Sequence, residues 1–318
     1  MAEFLVSLFC TLALVPAMRR IGTLDVPNAR SSHSVPTPRG GGLACMAGVV
    51  ASLLTSSLLR HDVPWVPVCA ALALGVVGYL DDRHPLPAIH RLVAQMIIGG
   101  LALVGFNGPW WIVAGVLVTP LAVNVVNFMD GINGITGLNA GLWGVTAFWL
   151  GAIGNLPELM VIGAVTAGSA LGFLPWNMPS ARIFLGDAGS YFFGAMIGFG
   201  CLLVGADGGL SLVVLIAPMA LYLADTGVTL ATRLLRRRPL FEAHCDHAYQ
   251  RLVVATGLPH AAISILTVSA SIVIICSWIP GNAFLGTTVT AVTLSGYLLL
   301  PRVLASSALA QSESQDPT

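Results

Sequence analysis

Eleven apolar runs divide this chain, at about residues 3–18, 43–59, 65–80, 92–106, 110–126, 137–153, 158–174, 190–206, 210–232, 260–279 and 283–301. A membrane span needs about 20 mainly apolar residues. The first, fourth and eighth runs are short or Gly-rich, which leaves ten spans as the lower count. In lipid every backbone polar group needs an internal partner, so runs of this kind fold as helices. Charged residues make up 9% of the chain, against about 25% in a soluble domain. The expectation is an all-α polytopic integral membrane protein: one transmembrane domain over residues 1–303 and a polar tail over 304–318. The start, MAEFLVSLF, has no basic segment ahead of its apolar run and reads as a first span, not a cleaved signal.

Arginine supplies the orientation. All 14 basic residues are Arg, and 13 of them fall in the loops after odd-numbered spans or in the tail; Arg60 alone lies on the other side. Cytoplasmic loops carry the excess of basic residues. The N-terminus is therefore expected in the periplasm and the C-terminus in the cytoplasm. The net charge of zero gives no argument for nucleic acid. The six cysteines form no CxxC pair, so no disulfide framework is expected.

The five inner loops hold nearly all the polar residues of interest. The first contains RSSHSVPTPRGGG, with Arg39 beside three glycines whose N–H groups suit a phosphate; a plain Pro/Gly connector fits it as well. The second begins LDDR, where Asp81 and Asp82 stand at the mouth of a span as metal or phosphate groups, or as a solvated helix end paired with Arg83. The third is NVVNFMDGING. Asn124, Asn127 and Asp130 recur at i, i+3 and i+6, near one face of a helix end, before Gly131 and Gly134 break the helix. Polar groups at the end of a membrane-length segment are costly unless they bind something. The fourth, FLGDAGS, puts Asp187 at a helix start that favours anions, or makes it an N-cap. The fifth, HCDHAYQR, crowds His244, Cys245, Asp246 and His247 together, without the second ligand pair that structural zinc requires. His244 and His247 could instead face a phosphate together. Asp225, within the ninth span, is expected to be structural, as a partner for Arg233 or a helix end.

On one membrane face these loops gather four carboxylates, two histidines and several arginines. Hard oxygen ligands select Mg²⁺ or Mn²⁺ over zinc. Carboxylates, Mg²⁺ and cations around a diphosphate are the working parts of phosphoryl transfer.

LDDR, NVVNFMDGING, FLGDAGS and HCDHAYQRL, in that order, resemble the polyprenyl-phosphate N-acetylhexosamine-1-phosphate transferases, glycosyltransferase family 4. The first loop and HAYQRL look closest to the bacterial O-antigen initiating branch. The resemblance spans about residues 30–251 and implies Mg²⁺-dependent transfer of a sugar 1-phosphate from a UDP-N-acetyl sugar to undecaprenyl phosphate, with release of UMP. It implies that Asp81 deprotonates or positions the lipid phosphate, with Asp82 as its partner. It makes Asp187 the principal Mg²⁺ ligand and Asn127 a second one. Phe184 then stacks on uracil, Asp130 and Asn133 face the nucleotide, and Arg91, His244 and His247 contact phosphate. Arg39 joins them as a substrate-binding residue. Two positions depart from the family pattern: Asn133, where several bacterial members have Asp, and HCDH in place of three successive histidines. The resemblance places the protein in the bacterial inner membrane, with its site on the cytoplasmic face, and allows a homodimer. The sugar is left open among GlcNAc, GalNAc and 6-deoxy N-acetyl sugars. The rival class is a transporter of a nucleotide sugar or lipid-linked substrate, which would place its ionisable residues mid-span in paired broken helices.

Overall fold

The structure, a computed structural model, describes residues 1–27, 35–58, 63–104, 108–207, 211–239 and 244–314. Arg30, Arg60 and the last four residues of the expected tail lie outside the described residues. Each expected span lies largely in a helix, and the ninth is interrupted. The first eight are α1 (Ala2–Ile21), α2 (Gly41–Leu58), α3 (Trp65–Arg83), α4 (Ala88–Leu101), α5 (Trp110–Met129), α6 (Ile135–Ile153), α7 (Pro157–Asn177) and α8 (Gly186–Asp207). The ninth is broken into α9 (Leu212–Ile216), a 3-10 turn (Ala217–Met219) and α10 (Ala220–Leu235). A short α11 (Ala248–Thr256) precedes α12 (His260–Trp278) and α13 (Ala283–Ser314). Among the described residues nine helical segments are long and apolar enough to cross a membrane. α4 is short at 14 residues, and α6, although 19 residues long, is less apolar. The protein is thus an all-α polytopic membrane protein.

Two features differ from the sequence expectation. Leu24–Asp25 (β1) and Thr37–Pro38 (β2) pair antiparallel, a small hairpin that two-residue strands do not announce in sequence. The polar segment from residue 304 continues α13 as far as Ser314 instead of leaving the helix.

α8 is the central helix, with most of its surface enclosed, whereas α13 is exposed over most of its length. Small residues make the close helix contacts possible. A Cβ on Gly194 would lie 2.6 Å from the Cα of Val123, and one on Gly198 would lie 3.1 Å from the Cβ of Ala122, so the GxxxG pair of α8 is a contact face for α5. Gly144 and Gly163 do the same for α6 and α7, each leaving room for the other's carbonyl. The break in the ninth span follows from Pro218, which has no N–H to give the helix. Its carbonyl accepts from Asn139 Nδ2 at 2.9 Å and Ser271 Oγ at 3.2 Å, so the interruption is satisfied inside the protein.

Candidate active site

The N-terminus of α8 is where the first, second and fourth inner loops meet. Phe184 N–H donates to the Pro38 carbonyl at 2.8 Å. The N–H groups of Gly41 and Gly42 donate to the carbonyls of Phe184 and Leu185 at 3.0 and 2.9 Å. The Gly-rich loop therefore spends two of its N–H groups on a backbone strap to the fourth loop. Gly186 has φ +76°, and a Cβ there would lie 2.6 Å from Asp82 Oδ2. Only glycine suits both that backbone angle and that approach. Asp82 Oδ2 accepts from Ala188 N–H at 3.1 Å, so a carboxylate from α3 caps the first turn of α8. The cap that FLGDAGS led us to consider for Asp187 is supplied by Asp82.

Asp187 is left for other work. Its Oδ1 accepts from Asn127 Nδ2 at 2.8 Å, and the same amide nitrogen reaches Ser190 Oγ at 3.0 Å. Among the described residues Asp187 Oδ2 and Asn127 Oδ1 make no hydrogen bond. Ser190 and Tyr191 follow Asp187 by three and four residues, hence lie on its helix face. Tyr191 donates its hydroxyl to Asp81 Oδ2 at 3.2 Å. Asp81 also accepts from Arg91 Nη1 at 2.8 Å and from Leu86 N–H at 2.7 Å, which ties α4 to the end of α3. The side chains of Asp81 and Asp82 are each 4% exposed, so both depend on these partners. Arg39 pairs with Asp25 at 2.8 Å and reaches Asp82 at 3.5 Å. Burial works against its charge, but Asp25, Asp82 and Asp187 together raise its pKa above the ordinary value.

The third loop lies beside this centre. Burial pushes the Asp130 carboxyl up to about 7, reinforced by the charges of Asp187 and Asp82 and opposed by that of Arg39. Asn124 donates to Gln95 Oε1 at 2.7 Å and to the Pro120 carbonyl, a structural tie between α5 and α4. Asn133 stands apart, with its amide 3.4 Å from the Pro179 carbonyl and its own carbonyl held by Ser264 Oγ at 2.8 Å. Gly134, at φ +84°, starts α6, and a Cβ there would meet the sulfur of Met178 at 2.1 Å.

In the fifth loop the rings of His244 and His247 stack with centroids 5.1 Å apart. Burial, then the neighbouring His247 and Arg233, lower the His244 pKa against the pull of Asp246 and Asp225. His247 is 2% exposed, and its Nδ1 lies 3.3 Å from Asp225 Oδ1. Asp225 lies inside α10, not at a helix end, and its partners are the start of α11 and His247, not Arg233. Arg233, expected as its partner, pairs instead with Asp246 and the Pro239 carbonyl. The reason is reach: Asp225 lies beside the start of α11, whereas Arg233, two turns further along α10, lies beside the loop that follows it.

Asp81, Asp82, Asp187, Asn127, Arg39 and Arg91 thus form one connected set around the start of α8, with Phe184 on the strap leading into it. Asp130 joins electrostatically. Asn133 and the histidines border it from the third and fifth loops. Tyr191, Asp25 and Tyr249 belong to the same surroundings but were not singled out from sequence. The i+4 spacing from Asp187 was the available signal for the first of them.

Known proteins bear on this arrangement. Residues 64–206 match the family model described as glycosyl transferase family 4. The chain is 32% identical over 280 residues to a probable undecaprenyl-phosphate N-acetylglucosaminyl 1-phosphate transferase of Bacillus subtilis, covering 81% of this chain and 78% of that protein. It is 34% identical over 214 residues to the decaprenyl-phosphate N-acetylglucosaminephosphotransferase of Mycobacterium tuberculosis, covering 56% of this chain and 52% of that one. An undecaprenyl-phosphate alpha-N-acetylglucosaminyl 1-phosphate transferase of Thermotoga maritima is 29% identical over 208 residues, 62% of each. The chain belongs to glycosyl transferase family 4, among the polyprenyl-phosphate N-acetylhexosamine-1-phosphate transferases.

Proposed function

We propose that the protein transfers an N-acetyl-sugar 1-phosphate from a UDP-sugar to undecaprenyl phosphate on the cytoplasmic face of the bacterial inner membrane, with Mg²⁺, and so initiates an O-antigen or other envelope glycan. The observation that carries this is the Asp187–Asn127 pair at the capped start of α8, with Arg39 and Arg91 each anchored by a buried carboxylate beside it. The names of the relatives above favour N-acetylglucosamine as the sugar. The one-sided distribution of arginines supports the orientation.

The residues present fit Mg²⁺. Asp187 Oδ2 and Asn127 Oδ1 are hard oxygen donors without a hydrogen bond among the described residues. No group of three or more His, Cys, Asp or Glu side chains forms a closed cage among them. Mg²⁺ is usually held by one or two carboxylates plus substrate phosphates, which suits so open a set. When bound, the ion would offset charge on the diphosphate as UMP leaves.

The acceptor's phosphate oxygen attacks the donor phosphorus that carries the sugar, and the bond from that phosphorus to the bridging oxygen breaks, releasing UMP. A phosphate monoester has a second pKa of about 6, so at neutral pH the attacking oxygen is largely unprotonated. Asp81, expected to assist the attack, already carries three donors; its task here is to hold Arg91 toward the phosphates. Asp82 does the same for Arg39 while capping α8. Beside Arg39, a recess lined by Met18, Ile21, Tyr79, Asp82 and Arg83 mixes apolar walls with charge, as a lipid phosphate requires.

Asp81→Asn and Arg91→Ala should each lower transfer about 100-fold, and the double variant no further than the worse single one, because the two act as a unit. Additive losses would separate them. The donor is tested by offering UDP-GlcNAc, UDP-GalNAc and UDP-6-deoxy-N-acetyl sugars with undecaprenyl phosphate and scoring lipid product. Product from UDP-GlcNAc is expected; lipid product from none of them would overturn the proposal.

A further inference from the structure

Asp225 is fully buried, inside a membrane-length segment, and none of the transfer chemistry above uses it. Its carboxylate is nevertheless saturated. Oδ1 accepts from Ala248 N–H at 2.8 Å and Thr229 Oγ1 at 3.2 Å, and lies 3.3 Å from His247 Nδ1. Oδ2 accepts from Tyr249 N–H at 3.2 Å. Two of these groups open α11, whose first N–H groups have no partner within the helix. A buried carboxylate is tolerated where several donors converge on it.

What Asp225 grips is itself pressed against the active site. Tyr249 donates its hydroxyl to the Phe128 carbonyl at 3.2 Å, in the last turn of α5 and next to Asn127. A Cβ on Gly131 would lie 2.1 Å from that hydroxyl, so Gly131 makes room for it. The His247 ring lies between those of His244 and Tyr249, at 5.1 and 5.7 Å, with Phe128 at 6.2 Å. The His247 side chain also accepts from the Gln250 N–H, in a capping box that fixes the ring to the start of α11.

We propose that Asp225 is a positioning residue for the transfer reaction: its carboxylate docks the start of α11, with His247 and Tyr249, onto the end of α5 and so sets the histidine pair against the Asn127–Asp130 segment. This rests on the transferase reading for its kinetic consequence, but not for its structural one. The second carboxylate oxygen matters. In Asp225→Asn an amide N–H₂ must face one of the donors now served by Oδ1 or Oδ2, so one grip is lost although the shape is kept. Asp225→Glu keeps both oxygens and the charge at the cost of one methylene.

The test compares the full-length wild type with Asp225→Asn and Asp225→Glu in detergent. The readouts are sugar-phosphate transfer and labelling of each histidine by diethyl pyrocarbonate, located by mass spectrometry. In the wild type His244 should label and His247 should not. Asp225→Asn should lower kcat/KM about 10–100-fold and open His247 to the reagent. Asp225→Glu should recover most of both. A role in packing alone predicts the reverse order, with the isosteric Asn tolerated and the larger Glu not; that order would overturn the proposal. Should neither variant be recovered folded, Tyr249→Phe cuts the dock at Phe128 alone. It should lower kcat/KM about tenfold and raise His247 labelling, and wild-type values of both would overturn the proposal. If the wild type transfers nothing from any UDP-sugar, the transferase reading fails, while the labelling still decides the place of Asp225.

Discussion

Asp187→Asn is expected to lower sugar-phosphate transfer about 1,000-fold while the protein stays folded in the membrane. A bound metal is worth several kcal/mol of transition-state charge stabilisation, and every 1.4 kcal/mol is about tenfold in rate. The Asn side chain has the same shape and keeps one oxygen, but it loses the charge that would anchor the ion beside Asn127. The fold is spared because Asp187 does not cap its own helix. Asp82 does that from α3, through Ala188 N–H at 3.1 Å. The measurement pairs an initial rate, taken with radiolabelled UDP-sugar, with a thermal melt of the purified protein. Normal melting with transfer near background is the expected pair. Transfer within about tenfold of wild type would remove Asp187 from the metal's coordination.

Gly78→Ala is expected to damage both stability and activity, without altering any polar side chain. A Cβ at residue 78 would lie 2.2 Å from the Asp187 carbonyl oxygen and 2.8 Å from Ala188 N. Both are backbone atoms, so no side chain can swing aside, and α3 and α8 must part. Overpacking of this kind costs about 1–3 kcal/mol. The same shift carries Asp82 away from Ala188 N–H, and a 1 Å misplacement at an active centre can cost about 100-fold in rate. Gly227→Ala is the control. Nothing lies within 4 Å of a Cβ there, and its helical backbone accepts alanine. Transfer should be unchanged in that variant and reduced by about 100-fold in Gly78→Ala, read in the same membranes.

The helices were legible because lipid leaves an apolar run little else to become, and each run between residues 3 and 301 lies largely in a helix. The inner loops were legible as a set of motifs, and Asn124, read as structural, is tied to Gln95. Long-range pairings were not legible. Nothing local in LDDR says that Asp82 will cap a helix about 105 residues later, or that Asp81 will be claimed by Arg91 and Tyr191. Asp225 and His247 are 22 residues apart, and only the fold of α10 onto α11 brings them to 3.3 Å. The β1–β2 hairpin was missed for a different reason: its strands are two residues each, too short for any alternation to show. Burial is the common factor. Sequence shows which side chains carry charge, whereas the packing decides which of them are already occupied.

The proposed reaction is a chemical step, not passage of a solute. It is tested most directly by placing the purified protein in liposomes that contain undecaprenyl phosphate, adding UDP-GlcNAc labelled in both uracil and sugar, and following the two labels with and without EDTA. UMP is expected in the aqueous phase in step with sugar in the lipid phase, one for one, with EDTA stopping both and added Mg²⁺ restoring them. Both labels entering the liposomes together as intact UDP-GlcNAc, with no UMP released, would contradict it.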